Sequence, residues 1–326
     1  MPLFEEQVSR KPNLYPWTQE IIDALWTSHW TPNEFNFRSD YAQFHSDLTD
    51  EERGVVVRTL SAIGQIEIAV KRFWGDLGKN FPHPSMTDMG FVMANNEVIH
   101  NQAYEKLLEV LRLQSAFDDA LKEPVVKGRV EYLRKYLDHV YADKKKQYIY
   151  AIILFTLMVE NTSLFGQFYT IMHFNRFNNV LKDTAQQVQY TRNEEMLHAK
   201  AGIMIINTLR AEYPEYFDDE LEARIAEEVR VAVAHEGKII DWMLQGYEGE
   251  ALSADILKAF IKNRLNAAMD EIGFAGAALT AEERALLPKT RWMDEETLGG
   301  SLTDFFQKRP VEYAKSHRTY DEDDMF

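Results

Sequence analysis

The chain contains no cysteine. Disulfides, a thiolate nucleophile and thiolate-bound zinc or iron–sulfur sites are therefore excluded. Any metal must be held by His, Asp and Glu, donors that suit iron, manganese or zinc. Basic residues are short relative to acids: 36 Lys and Arg against 52 Asp and Glu, a formal net charge of −16. That balance argues against nucleic-acid binding, whose expected footprint is a basic surface. The opening stretch, MPLFEEQVSRKPNLYPW, lacks the charged and apolar regions of a signal peptide. The most apolar run, YIYAIILFTLMV at 148–159, meets Glu160 before it reaches the ~20 residues that span a bilayer. A cytoplasmic protein with no membrane segment is the expectation.

Strand-like alternation is scarce, and helical signals dominate. The chain has 326 residues, 45% of them hydrophobic, enough for a sizeable core in one large domain or two ordinary ones. Thr49-Asp50-Glu51-Glu52 is a capping box with Leu48 placed as a hydrophobic staple. The helix it opens is predicted to run to about Asn80, where FPHP at 81–84 stops it. Its apolar stripe is Val56, Leu60, Ile63, Val70 and Trp74. A second long helix is predicted from Met86 to about Leu113, and others near 125–140, 145–175, 184–211, 218–246 and 252–270. Such lengths, joined by short to moderate loops, imply an antiparallel bundle. The pattern breaks down after LGGSL (298–302). We therefore expect a helical domain over 1–300 and a flexible acidic tail over 301–326, ending in four acids, Met325 and Phe326.

Acids interrupt the apolar faces of these helices. In EVIHNQAY (97–104), Glu97, His100 and Tyr104 share a face with Met93, Leu107, Leu108 and Leu111. In NEEMLHAKAG, Glu195 and His198 repeat the E-x-x-H spacing on a face with Val188, Gly202 and Ile205. Glu67 sits between Ile63 and Val70, and Glu160 between Leu157 and Leu164. A buried carboxylate is costly unless paired or bound to a cation. The order is a rough repeat: Glu67 then Glu97/His100, Glu160 then Glu195/His198. Four carboxylates and two imidazoles on four helices match the inward ligand set of ferritin-like dinuclear carboxylate proteins. Four carboxylates balance two divalent ions, and i, i+3 spacing puts both side chains of a pair at one level.

Simpler readings compete with each element. One E-x-x-H is weak evidence, Glu67 alone could be a surface residue, and Glu160 alone could be a paired core acid. The other histidines lack this context and read as surface or satisfied core. A buried tyrosine is usually core with its hydroxyl satisfied. Tyr104, one turn past His100, is either a tyrosine beside the cluster or a radical site.

The combination resembles the radical-generating β (R2) subunit of class I ribonucleotide reductase. EVIHNQAY, the later E-E-x-L-H, SHWTPNEFNF (28–37) and the acidic tail ending in phenylalanine carry the likeness over nearly the whole chain. The resemblance implies an all-α, ferritin-like bundle with extra helices. It implies metal ligands Glu67, Glu97, His100, Glu160, Glu195 and His198, with Tyr104 at the family's radical-tyrosine position. Trp30 matches the tryptophan of the long-range electron and proton path. Glu194 stands where many members have an aspartate on that path. Tyr313 and Tyr320 are both candidates for the tail tyrosine that passes the radical to the α (large) subunit, on which the acidic tail would dock. A homodimer is implied as well. Glu67 replaces the aspartate of the common diiron members. The closest likeness is the dimanganese class Id type, so Mn₂ is favoured, with Fe₂ as the alternative. The rival reading is a stand-alone R2-like ligand-binding oxidase. Its tyrosine–valine cross-link would need partners near Phe155 and Ala69, and neither residue fits.

Overall fold

A computed structural model describes residues 1–64 and 67–293, without the side chains of 67–69. The helices, in chain order, are α1 (Trp17–Thr27), α2 (Arg38–Ser46), α3 (Asp50–Ile63), α4 (Glu67–Gly75), α5 (Leu77–Asn80), α6 (Pro84–Val110), α7 (Gln114–Ala120), α8 (Pro124–Leu133) and α9 (Lys144–Leu154). A π-helix (Phe155–Ser163) follows, then α10 (Phe165–Asn178), α11 (Lys182–Glu212), α12 (Asp219–Leu244), α13 (Ala254–Glu271) and α14 (Ala281–Leu286). No strand occurs among the described residues, as the all-α expectation requires. Residues 1–290 form one compact unit. The expected tail, with Tyr313, Tyr320 and Phe326, lies outside the described residues.

Local chemistry sets the helix ends. The Thr49 box forms: Thr49 Oγ1 accepts from Glu52 N–H at 3.2 Å and Glu52 Oε2 accepts from Thr49 N–H at 2.9 Å. The side chains of Asp143, Asp218 and Ser253 accept from first-turn N–H groups and so cap α9, α12 and α13. The start of α11 is capped from outside. Asp40 of α2 accepts from Thr184 N–H at 2.7 Å, and Asp183 accepts in return from Phe37 N–H at 2.9 Å. This exchange ties the longest helix, 31 residues, to the N-terminal segment.

The single helix predicted over 49–80 is three pieces. Gly64 ends α3, its N–H still bonded to Leu60 O at 3.2 Å, and Asp76 (φ −92°, ψ 1°) separates α4 from α5. The predicted 125–140 helix finishes as a 3₁₀ turn at Arg134–Leu137. The apolar run at 148–159 does not stop at Glu160. Helical structure continues over Lys144–Asn178, long and apolar enough to cross a membrane, yet its apolar window is wholly buried inside the protein. It is the central core helix, and its middle is the π-turn that carries Glu160.

Two close approaches bring the acid-bearing helices together. A Cβ on Gly90 of α6 would meet Trp74 O of α4 at 2.4 Å, and one on Gly202 of α11 would meet Thr156 Oγ1 of the π-helix at 2.1 Å. Arg129 of α8 then satisfies carbonyls that helix ends leave open. Its guanidinium, 1% exposed, donates to Ala62 O at 3.0 Å and to Ser163 O, the last carbonyl of the π-helix. It also pairs with buried Glu236 at 3.1 Å.

Gly90→Ala should therefore destabilise the fold by ~1–3 kcal/mol through overpacking against backbone. Arg129→Met should cost ~3–5 kcal/mol by stranding the Glu236 carboxylate. Chemical denaturation of the two variants checks both. Wild-type midpoints would contradict the close-approach and clamp assignments.

Candidate metal centre

α6 presents Glu97 and His100, α11 presents Glu195 and His198, and the π-helix presents Glu160; all five side chains are buried. Ligand-type atoms of Glu97, Glu160, Glu195 and His198 lie within 4.8 Å of one another. Glu97 spans both imidazoles, with Oε1 3.0 Å from His198 Nδ1 and Oε2 3.4 Å from His100 Nδ1. Glu195 does the same, with Oε1 3.2 Å from His100 Nδ1 and Oε2 3.4 Å from His198 Nδ1. Glu160 Oε2 lies 3.4 Å from His198 Nδ1. Glu67 begins α4, and its side chain lies outside the described residues.

These contacts are crowded but poorly aligned. Both oxygens of Glu97, Glu160 Oε2 and His198 Nδ1 have no aligned hydrogen-bond partner among the described residues. Ligand-type atoms converging without aligned hydrogen bonds between them suit a divalent cation. The residues therefore fit a metal pair: one imidazole at each end, two carboxylates able to bridge, and Glu160 terminal on the His198 side.

The electrostatics agree. Burial first, then the charges of Glu195 and Glu97, push the Glu160 carboxyl well above the usual carboxylate range. Burial would also raise Glu195, but its close contacts with Glu160, His100 and His198 outweigh it and hold that carboxyl below the usual range. Burial would lower His198, yet Glu160, Glu195 and Glu97 raise it. Without a cation the cluster keeps protons in place of metal charge.

The remaining predicted residues fall on one side of this cluster. Glu194 Oε2 lies 2.7 Å from His100 Nε2 and accepts from the Trp30 indole N–H at 3.0 Å. Its other oxygen accepts from Asn96 Nδ2 at 2.8 Å. A proton on His100 Nε2 turns the Nδ1 lone pair toward the carboxylates. The Trp30 ring also stacks on His100, centroids 6.2 Å apart and planes at 23°. Trp30 sits in a loop fixed by a Thr31/Glu34 capping box, and Lys106 Nζ donates to Pro32 O at 2.7 Å and Phe35 O at 2.9 Å. Tyr104 is buried one turn beyond His100 on α6.

Three contributors escaped the sequence reading: Asn96, Lys106 and Trp74. Periodicity alone places Trp74 in an apolar stripe. Its indole N–H donates to Glu160 Oε1 at 2.8 Å. A buried indole needs an acceptor, and none of its apolar stripe partners offers one. That was the available signal.

The Ribonucleotide reductase, small chain family model matches residues 8–277. The chain belongs to the ribonucleotide reductase small-chain family. This family member is 25% identical over 334 residues to a probable ribonucleoside-diphosphate reductase small subunit of Invertebrate iridescent virus 3, covering 98% of this chain and 87% of the relative. It is 20% identical over 312 residues to the ribonucleoside-diphosphate reductase subunit beta of Halalkalibacterium halodurans, covering 92% and 87%. Its fold matches the ribonucleotide reductase R2 subunit from Clostridium botulinum with a TM-score of 0.73 at 19% identity, over 86% of this chain and 88% of that one. It also matches an R2-like ligand-binding oxidase with a Mn/Mn cofactor, TM-score 0.68 at 18% identity, over 81% and 95%. The ferritin-like helical architecture is thus that of the R2 proteins.

Two outcomes follow. Trp74→Phe keeps ring volume but removes the donor to Glu160. It should weaken metal binding by ~10–100-fold, read by chelator competition; unchanged affinity would remove Trp74 from the site. Because His198 and Glu160 are both raised, metal must displace their protons. Loading should acidify a weakly buffered solution, and affinity should fall as pH falls. Loading without proton release would contradict this.

Proposed function

We propose that this chain is the radical-generating β subunit of class I ribonucleotide reductase. In that role it supplies the oxidising equivalent with which an α subunit reduces ribonucleotides to deoxyribonucleotides. The observation that carries the reading is the continuous contact from the carboxylate cluster through His100 and Glu194 to Trp30. Stored oxidation needs both a metal site and a way out, and this linkage supplies a way out.

Glu67, Glu97, His100, Glu160, Glu195 and His198 would hold a dinuclear metal centre. When bound, that centre supplies the oxidising power. His100 would act as ligand at Nδ1 while its Nε2 proton faces Glu194. Glu194 accepts from both the imidazole and the Trp30 indole. It is placed to take the indole proton when Trp30 gives up an electron, so no separated charge is left in the core. The surrounding apolar side chains exclude water that would quench an oxidised ring. From Trp30 the equivalent would pass to Tyr313 or Tyr320 in the acidic tail, which would dock on α. The chain has no cysteine, so thiyl chemistry on the nucleotide must belong to the partner. A homodimer in the cytoplasm is the corresponding assembly.

Glu67 in place of an aspartate supports the dimanganese class Id type, with Tyr104 a neighbour rather than the stored radical; Fe₂ is the alternative. The likeness to an R2-like oxidase supports a second reading, a stand-alone oxidase. Against it, Phe155 is packed face to face on Phe73, centroids 3.7 Å apart, and offers no phenol for an ether cross-link.

Trp30→Phe should keep full metal content and lose at least ~100-fold in turnover with α, since phenylalanine neither donates to Glu194 nor oxidises comparably. Undiminished turnover would sink the path. Electron paramagnetic resonance after separate Mn and Fe loading tests the metal. A manganese multiline signal that decays on adding α and substrate is expected. A tyrosyl signal, active with iron and lost in Tyr104→Phe, would overturn the dimanganese assignment.

A further inference from the structure

A cavity of about 1090 Å³ opens between the end of α4, the 3₁₀ turn after α8 and the first turns of α9. None of the carboxylate-cluster residues lines it. Small-molecule sites run to roughly 300–1,000 Å³, so it is large enough for a ligand.

Its charge is opposite to that of the chain. Arg72, Arg134, His139 and Lys144 line it, against one carboxylate, Asp76, while the protein as a whole carries −16. Among the described residues, the side chains of Arg72, Arg134 and Lys144 make no hydrogen bond or ion pair, although acids are plentiful elsewhere on the surface. Three cations left unneutralised around one hollow favour an anion.

Rings line it as well, Phe73, Tyr136, Tyr141 and Tyr148, and Phe73 locks two of the others. Phe73 stacks near-parallel with Tyr148, centroids 6.2 Å apart at 19°, and meets Tyr136 edge-on at 5.4 Å. Phe73 is backed by Phe155 at 3.7 Å. The loop carrying His139 is held by Gln147. Its Oε1 accepts from Val140 N–H at 2.8 Å and Tyr141 N–H at 2.9 Å, and its Nε2 donates to Asp138 O at 2.7 Å. A wall already ordered loses little entropy when a ligand arrives.

We propose that this cavity binds a phosphorylated ring compound, a nucleoside phosphate or a flavin mononucleotide. Arg72, Arg134 and Lys144 engage the phosphate, and the Phe73–Tyr136–Tyr148 wall takes the ring. Arginine forks suit phosphate oxygens, and aromatic faces suit a planar heterocycle. Inorganic phosphate would leave the rings unused, and an unphosphorylated nucleoside would leave the cations unused. The site does not depend on the metal reading.

The test is isothermal titration of the full chain, metal-loaded, with ADP, FMN, adenosine, riboflavin and inorganic phosphate. ADP or FMN should bind at one site per chain. Its dephosphorylated counterpart and inorganic phosphate should each bind about tenfold or more weakly. Whichever of ADP and FMN binds tells the nucleotide source from the flavin source. Combining Arg72→Ala with Arg134→Ala should weaken binding about tenfold or more. Both side chains are exposed, so metal content and melting temperature should not move. The proposal is overturned if neither ADP nor FMN saturates. It is also overturned if inorganic phosphate binds as tightly as they do, or if the double variant binds like wild type.

Discussion

The fold depends on one electrostatic constraint: several carboxylates sit in an apolar interior with no lysine or arginine among the described residues paired to them. Glu97, Glu160 and Glu195 meet imidazoles, one another and, at Glu160, one indole N–H. Desolvated carboxylates without a cation are costly, and imidazoles that must stay deprotonated to bind metal cannot neutralise them. The fold contains a counterexample in Glu236, which is just as buried but is met by Arg129 and Tyr132. One acid has a protein cation and reads as structure. The other three lack one and read as a metal site.

Meeting that constraint requires helices closer together than ordinary side chains permit. Gly90 and Gly202 remove the Cβ atoms that would hold α6 off α4 and α11 off the π-helix. The π-turn adds a residue to the central helix and carries Glu160 within it; such turns are common at functional sites. Its open Ser163 carbonyl is taken by Arg129. The buried ion pair outside the cluster thus holds the helix that presents a carboxylate inside it. The capping exchange between Asp40 and Asp183 likewise sets the start of α11, the helix that supplies Glu194, Glu195 and His198.

Much of this was legible in the amino-acid order because helical spacing is a strong geometric rule. Glu97/His100 and Glu195/His198 could be placed on one face each, and Glu160 stood out in an apolar run. The Thr49 box predicted a helix start to the residue. What was not legible depends on tertiary partners. Periodicity cannot distinguish an α-turn from a π-turn, so 155–163 read as plain helix. The break near Gly64 was hidden because the apolar stripe keeps phase across it. Trp74 looked like core because its apolar body and its polar N–H belong to one residue, and only the fold shows that Glu160 lies opposite. Trp30 and Glu194 are 164 positions apart and came from a family likeness, since no local pattern joins them.

The proposed dinuclear centre would be held between the two imidazoles, with Glu97 and Glu195 the carboxylates that reach both. The most direct measurement is anomalous diffraction from manganese-loaded crystals, with data on both sides of the manganese edge. Two peaks per chain are predicted, one beside His100 Nδ1 and one beside His198 Nδ1, with Glu97 and Glu195 touching both and Glu160 only the second. A single peak, or two peaks that share no carboxylate, would contradict it.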